Sequence, residues 1–421
     1  MVKKHWILGH LNDVIDSLVA GVSVNSGEDD ASGNFFILKT SAISKGKLNL
    51  SEKKPVLPRE VARLKCSLRQ ETILISRMNT PELVGECAYV PCDDPRIYLP
   101  DRIWQTNFKK DVDVSAKWLN YLLSSKKYRS LIQNCATGTS NSMKNISKEQ
   151  LLGLEILYPS FREQTSIAEA LSDVDSLISS LQELIEKKKA IKQGTMQELL
   201  TGKKRLPGFN EEWEELNFAE SAKLKARIGW QGLTTSEYLQ SGYAYLITGT
   251  DFHNGRIKWE TCHFVDEKRY KQDLNIQIKK HDILLTKDGT IGKVAYISNV
   301  QKPTTLNSGV FVIRPAKEDS FDPNFVYHIL NSFLFDNFLA KLSAGSTINH
   351  LYQKDFVDFT FKAPSELVEQ QAIAQVLSDM DSEIEQLEKK LAKYQQIKQG
   401  MMQELLTGRI RLIGTDRRGY K

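Results

Sequence analysis

The sequence predicts an α+β fold: two globular α/β domains alternate with two long helices that pack as an antiparallel coiled coil, giving a pseudo-two-fold internal repeat. Three observations predict it. One long segment occurs twice, an apolar seam of heptad spacing runs through both copies, and β-rich runs closed by glycine precede each copy.

The repeat comes first, because a fixed period decides architecture before any local assignment. A shift of 206 residues lays Glu163–Leu206 on Glu369–Leu412 without a gap. About 25 of the 44 aligned positions are identical, the whole of QELLTG at 197–202 and 403–408 included. Within the copies the apolar positions step by four and three. Ile167, Leu171, Val174, Ile178, Leu181 and Ile185 form one seam, and Ile373, Leu377, Met380, Ile384, Leu387, Leu391 and Tyr394 the other. Glu, Gln, Lys and Ser fill the remaining faces, so each copy reads as a long amphipathic helix in need of a partner. Two equal seams in one chain predict that the helices pair with each other rather than with their own domain cores. Ser160 and Glu163 have the spacing of a capping box, and Gly202 and Gly408 suit C-terminal caps.

The segments before the helices correspond more faintly. Phe36–Gly46 (FILKTSAISKG) matches Tyr245–Gly255 (YLITGTDFHNG) in pattern, a β-rich run followed by a polar turn closed by glycine. Thr72–Asn79 faces Asp282–Gly289, each running into a further glycine, Gly85 and Gly292. Thr137-Gly138-Thr139 faces Ala344-Gly345-Ser346. The expected divisions are a first domain at 1–160, a central helix at 161–205, a second domain at 206–365, a C-terminal helix at 366–412 and a tail at 413–421. Pro207 and Gly208 break the first helix where the second domain opens.

With 421 residues, the chain has room for two to four domains at roughly 100 to 200 residues each. Its 41% apolar and 26% charged content excludes disordered and collagen-like classes. A net charge of +5 announces no global field for nucleic acid, so any such surface has to be local. Five cysteines without a C-x-x-C pair and without a secretory leader point to a reducing cytoplasm. No run approaches the roughly 18 apolar residues of a membrane span.

Catalytic constellations are missing from the sequence. There is no GxxxxGK[ST], since Gly289-Thr-Ile-Gly292-Lys293-Val294 has the wrong spacing. There is no H-E-x-x-H among scattered histidines and no G-x-S-x-G. No F-x-G-x-G loop or Asn-Pro-Pro-aromatic run suggests S-adenosylmethionine. No cofactor and no metal is expected, and the chain reads as a non-enzyme.

Two unlike domains, each followed by a copy of a heptad helix ending in QELLTG, resemble the type I restriction-modification specificity subunit over essentially the whole chain. Shorter phrases carry the resemblance further: Leu206-Pro-Gly-Phe209 before Trp213, Asp282-Ile-Leu-Leu-Thr-Lys287 with Gly289 and Gly292, and Pro159 or Pro364 followed by Glu-Gln. The first domain departs from the pattern. It opens on Trp6-Ile-Leu-Gly-His-Leu11 without Leu-Pro-Gly-Phe, and carries Asn79-Thr80 with an insertion before Gly85. The resemblance implies that the globular units are target recognition domains, each reading one half of a bipartite double-stranded DNA site. It implies further that the helices act as a spacer and help dock two methyltransferase subunits, restriction subunits joining them.

Groove readout needs polar side chains on turn-rich loops. In the first domain the expected contacts are Lys39, Thr40, Ser41, Lys45, Arg77, Asn79, Thr139, Asn141 and Lys144. In the second they are Trp230, Gln231, Thr248, Thr250, Asp251, His253, Arg256, Lys287, Asp288, Lys293, Thr347, Asn349 and His350. Tyr245 and Trp259 are expected in the core. Three other readings stay open: a coiled-coil scaffold without DNA contact, an orphan specificity subunit serving a methyltransferase alone, and a self-contained nuclease.

Overall fold

Strands built from unbroken apolar runs must be covered on both faces, and Thr72–Ser76 (TILIS) and Ile283–Thr286 (ILLT) are buried at every position. Around them the chain gathers into two compact units in a computed structural model that describes residues 6–27, 34–138, 143–343 and 350–412, with backbone alone at Trp230. One unit comprises Met1–Gln182 with Lys390–Lys421, the other Glu183–Lys389. Both mix strands and helices. The long helices, Phe161–Leu199 and Leu367–Leu405, each have their two ends in different units.

In the first unit Thr72–Ser76 lies between Cys87–Val90 and Ile103–Phe108, with Ile15–Ala20 outside, all neighbours antiparallel. Side chains alternate across a strand. Ile73 and Ile75 therefore join Trp118, Leu119, Ile132 and Ile167 in one core, while Leu74 joins Leu38, Val90 and Ile97 in another. Phe36–Leu38 pairs in parallel with Asp94–Tyr98. The second unit repeats the plan: Ile283–Thr286 lies between Val294–Tyr296 and Val310–Pro315, with Ala222–Lys225 outside. Ile283 and Leu285 face Phe325, Phe335 and Ile373, and Leu284 faces Ile247, Leu306 and Val312. Ala244–Ile247 pairs in parallel with Thr304–Leu306.

The glycines after each central strand are a requirement of space as well as of backbone. Gly85 has φ 74° and Gly292 φ 89°. A Cβ on Gly85 would stand 2.2 Å from Ile132 Cγ2, and one on Gly292 2.7 Å from Leu339 Cδ1. The matched polar turns are two-residue hairpins with both residues left-handed, Lys45 (51°) with Gly46 (79°) and Asn254 (46°) with Gly255 (75°).

The helix ends are fastened the same way twice. Gly202 and Gly408 are left-handed caps (φ 69° and 68°) that pack against Trp213 and Trp6, their Cβ positions 3.3 and 3.0 Å from the indoles. Three residues on, Arg205 grips both oxygens of Glu369 at 2.7 Å, and Arg411 grips Glu163 at 2.9 and 2.6 Å. The capping-box expectation for Ser160 and Glu163 is thereby corrected: both Glu163 oxygens bind the guanidinium of Arg411. Beside them Gln164 accepts from the Ser115 amide and donates to the Pro159 carbonyl, and Gln370 does so with Asp322 and Pro364.

Within the first unit Lys398 meets Asp175 at 2.8 Å, and Arg411 meets Glu163. Within the second, Lys188 meets Glu383 at 2.7 Å and Lys192 meets Asp381 at 2.5 Å. In both, residue number falls along one helix as it rises along the other. The apolar seam divides between the two units, and its opening turns share a core both with the preceding domain and with the end of the other long helix, at Leu405 and Leu406 in the first unit and Met196 and Leu199 in the second. Ile167 and Leu171 pack in the first unit's core, and Ile373 and Leu377 in the second's, because the opening turns close the domains that precede them. Met380 also lies against the second core, while Val174 and Leu387 are half-buried. Ile178, Leu181, Ile185 and Ile384 are buried apart from the domain cores, on the stretch that carries the inter-helix ion pairs. No helix among the described residues is long and apolar enough to cross a membrane.

Three outcomes are expected. Gly85→Ala and Gly292→Ala should each lower unfolding free energy by about 2 kcal/mol or more, since the new methyl adds a steric clash to a strained backbone; denaturant melts measure this. Arg205→Ala should cost about 3–5 kcal/mol by leaving Glu369, 1% exposed, without its cation. The third concerns His328, buried against the C-terminal helix with Nε2 3.2 Å from Ser378 Oγ. Burial, aided by the Lys192 charge, pushes its pKa down to about 3 from an ordinary 6.5. Between those values the unfolded chain binds a proton that the folded chain refuses. Stability is therefore full above pH 6.5 and declines as pH falls toward about 3. Thermal melts from pH 7 to 4 should show this slope, reduced in His328→Gln.

Candidate nucleic-acid interface

The residue that follows each central strand is held by the same two backbone bonds in both units. The Arg77 N–H donates to the Arg102 carbonyl and its own carbonyl accepts from Ile146, both at 3.0 Å. Lys287 does likewise with Gly309 and Leu351, both at 2.9 Å. Each places a cation over an aromatic ring. Arg77 Cζ lies 5.7 Å from the centre of a Trp104 ring, and Lys287 Nζ 5.4 Å from that of Phe311.

Across from this point a second segment pairs in the same register. Met78 faces Asn145 and Asn79 faces Lys144 in a three-stranded sheet, and Asp288, at the step of Met78, faces His350 in an isolated bridge. In the first unit these side chains are occupied locally. Asn79 donates to Ser76 Oγ at 3.2 Å and accepts from the Thr80 amide at 2.9 Å, and Lys144 Nζ donates to the Gly138 carbonyl at 2.6 Å. Arg77 Nε is buried with no hydrogen-bond partner among the described residues. In the second unit Lys287 Nζ lies 3.3 Å from His350 Nε2 and 4.0 Å from Asp288 Oδ2, and His350 Nδ1 contacts Asp288 Oδ1. The His350 ring packs on Tyr352 at 4.2 Å, with Lys354 Nζ over the other aromatic 5.4 Å away. Lys293 is exposed nearby, its amide bonded to Thr286 Oγ1 at 2.9 Å.

The structure thus brings together Arg77, Asn79 and Lys144, and separately Lys287, Asp288 and His350. The remaining expected contacts lie elsewhere or are committed to the fold. Ser41 donates to Glu52 at 2.7 Å and Lys39 lies 3.6 Å from it, and together they hold that carboxyl below its ordinary range. Thr40 is half-buried; Lys45 is exposed on its turn, Thr250 on the 3-10 helix Gly249–Asp251 and His253 at the end of the strand Phe252–His253. Arg256 pairs at 2.9 Å with Glu385, whose carboxyl is held low by Lys389 first and Arg256 after it. Thr248 and Asp251, expected to face DNA, are instead buried. Asp251 accepts from the Thr248 amide and hydroxyl at 2.8 and 2.9 Å and from Thr261 at 3.0 Å, so its carboxylate closes the turn. Gln231 is likewise buried, against expectation. The side chain of Trp230, and Thr139, Asn141, Thr347 and Asn349, lie outside the described residues. Tyr245 and Trp259 are half-buried against the second unit's core, as expected, with ring centres 5.4 Å apart.

Sequence reasoning missed Trp104 and Phe311, the rings beneath the cations. Aligning Ile103-Trp104 with Val310-Phe311 would have shown an aromatic at the same step of both repeats. Among the described residues no group of three His, Cys, Asp or Glu side chains could hold a metal ion.

Residues 3–193 and 210–399 match the family described as type I restriction modification DNA specificity domain. A type I restriction enzyme specificity subunit, MjaVIII, of Methanocaldococcus jannaschii is 27% identical over 309 residues, which are 69% of this chain and 70% of that one. The putative MjaX specificity subunit of the same organism is 24% identical and covers 98% of this chain and 95% of its own. Among solved structures, the type I restriction-modification S subunit of M. genitalium superposes with TM-score 0.62 at 19% identity, over 95% of this chain and 96% of that one. A chain from a structure of type I R-M system assembly and conformational transition gives TM-score 0.52 at 15% identity, over 96% and 98%. At these identities the two structures speak for the fold. With the family matched on both halves, the chain belongs to the type I restriction modification DNA specificity family.

Proposed function

We propose that the chain is the non-catalytic, DNA-reading subunit of a type I restriction-modification enzyme in the cytoplasm, and that each unit reads one half of a bipartite double-stranded target. The single observation behind this reading is the repeated construction at Arg77 and Lys287. A cation on an aromatic seat, held by the same backbone bonds beside a strand pair, is built twice, with polar side chains on the neighbouring steps. Such groups can address base edges, while exposed Lys45, His253 and Lys293 can hold phosphates and fix register.

On this reading residues 1–160 and 206–365 are the recognition domains, and 161–205 and 366–412 form an antiparallel coiled-coil spacer ahead of the tail at 413–421. The ion pairs Asp175–Lys398 and Lys192–Asp381 support that pairing within their units. Two methyltransferase subunits dock on the assembly and restriction subunits join them, so methyl transfer, ATP hydrolysis and cleavage belong to those partners.

The test is an exchange. Residues 210–360 are replaced by the matching part of a relative, the chain is assembled with its methyltransferase subunits, and the methylated sites are sequenced. One block of the target should change and the other remain. A simultaneous change of both blocks would overturn the modular reading. DNA retention that is absent at low salt would favour a scaffold without DNA contact.

A further inference from the structure

Because the backbone around Arg77 and Lys287 is the same, a difference in what the two units read at this point has to come from side chains. Arg77 forms no ion pair among the described residues. Its side chain is half-buried over Trp104, with Nε buried and without a hydrogen-bond partner among the described residues. A buried N–H of a cation without an acceptor is costly, and the ring compensates only in part. What it lacks is two adjacent acceptors for its rigid fork of donors. In the major groove, guanine offers that pair at N7 and O6.

Lys287 meets a different environment. Its side chain, 12% exposed, sets the ammonium 3.3 Å from His350 Nε2 and 4.0 Å from Asp288 Oδ2, while His350 Nδ1 occupies the other oxygen of that carboxylate. The exposed edge is therefore one donor beside one acceptor. A phosphate would meet repulsion from Asp288. The base edge that complements a donor beside an acceptor is adenine, with N7 accepting and the N6 amino group donating.

We propose that Arg77 and the Lys287–Asp288 pair are the specificity-determining side chains at equivalent positions of the two half-sites, Arg77 reading a guanine and Lys287–Asp288 an adenine. His350 is then a positioning residue that orients Asp288. The assignment rests on the DNA-binding reading above.

The experiment uses the full chain assembled with its methyltransferase subunits and a pool of duplexes randomised across the target. Bound sequences are counted for wild type, Arg77→Gln, Lys287→Arg with Asp288→Asn, and Asp288→Asn alone. In wild type one position of one half-site should demand guanine and one position of the other adenine. Arg77→Gln should lose about tenfold or more of discrimination at the guanine position only, the scale of one bidentate base contact. The double variant should move the adenine position toward guanine, and Asp288→Asn alone should relax it. The untouched half-site in each variant serves as the control for folding. Equal weakening on all sequences would identify Arg77 as a phosphate contact and overturn the assignment, as would unchanged preferences. If wild type retains no DNA, the DNA-binding reading fails together with the assignment. If wild type selects a bipartite site that these variants leave intact, the assignment alone fails.

Discussion

A carboxylate shut away from water has to find a cation, and Glu163 and Glu369, 0% and 1% exposed, find theirs at the far end of the other long helix. That demand organises each unit. Once Arg411 reaches Glu163, the glycine cap three residues before it is drawn onto Trp6, and the ribbon Ile7–His10 with Glu155–Tyr158 is closed beside it. Arg205, Glu369 and Trp213 repeat the arrangement at the ribbon Trp213–Asn217 with Thr360–Pro364. The neighbouring glutamines carry the order inward, accepting from the amide that caps an earlier helix of the same domain, Ala116–Ser124 or Pro323–Leu330, and donating to the carbonyl of the proline before their own helix. Each domain is therefore closed by the start of one helix and the finish of the other.

Much of this was legible in the chain, because the strongest signals were local and doubled. The copies at 163–206 and 369–412 and the apolar strands at 72–76 and 283–286 declare themselves through periodicity. The partner of the seam did not. Ile167 and Ile373 have the spacing of a coiled coil, and their cores do include the end of the other helix at Leu405 and Leu199, but they also include residues more than thirty positions upstream, such as Trp118 and Phe325, about which spacing carries no information. Glu163 illustrates the same limit: a capping box is a three-residue pattern, and the competitor that claims its side chain is 248 positions away.

The candidate site was legible in part, for a related reason. Turn chemistry pointed to polar residues after strands, and Arg77, Lys287 and their partners lie in such places. Asp251 has the same surroundings in sequence, but its carboxylate is used up by the turn itself, since a short polar side chain can serve its own backbone as well as a ligand. The aromatic seats at Trp104 and Phe311 belong to strands and carry no polar signal. Only the equivalence of the repeats would have connected them to the site. The repeats also diverge where contacts are tuned: Tyr121 donates to Asp175 at 2.8 Å in one, and His328 meets Ser378 in the other.

The division of the chain also orders its assembly during synthesis. The second unit is a continuous stretch, Glu183–Lys389, so every residue it needs is made before Lys390 is added. The first unit is made earlier but cannot be completed earlier. Its core includes Leu405 and Leu406, and its buried Glu163 has no counter-ion until residue 411 emerges. The first unit thus carries an open apolar face and an unpaired carboxylate while the 248 positions from Glu163 to Arg411 are made, although domains ordinarily mature in the order they are made. Of these two units, the one begun first is the one finished last.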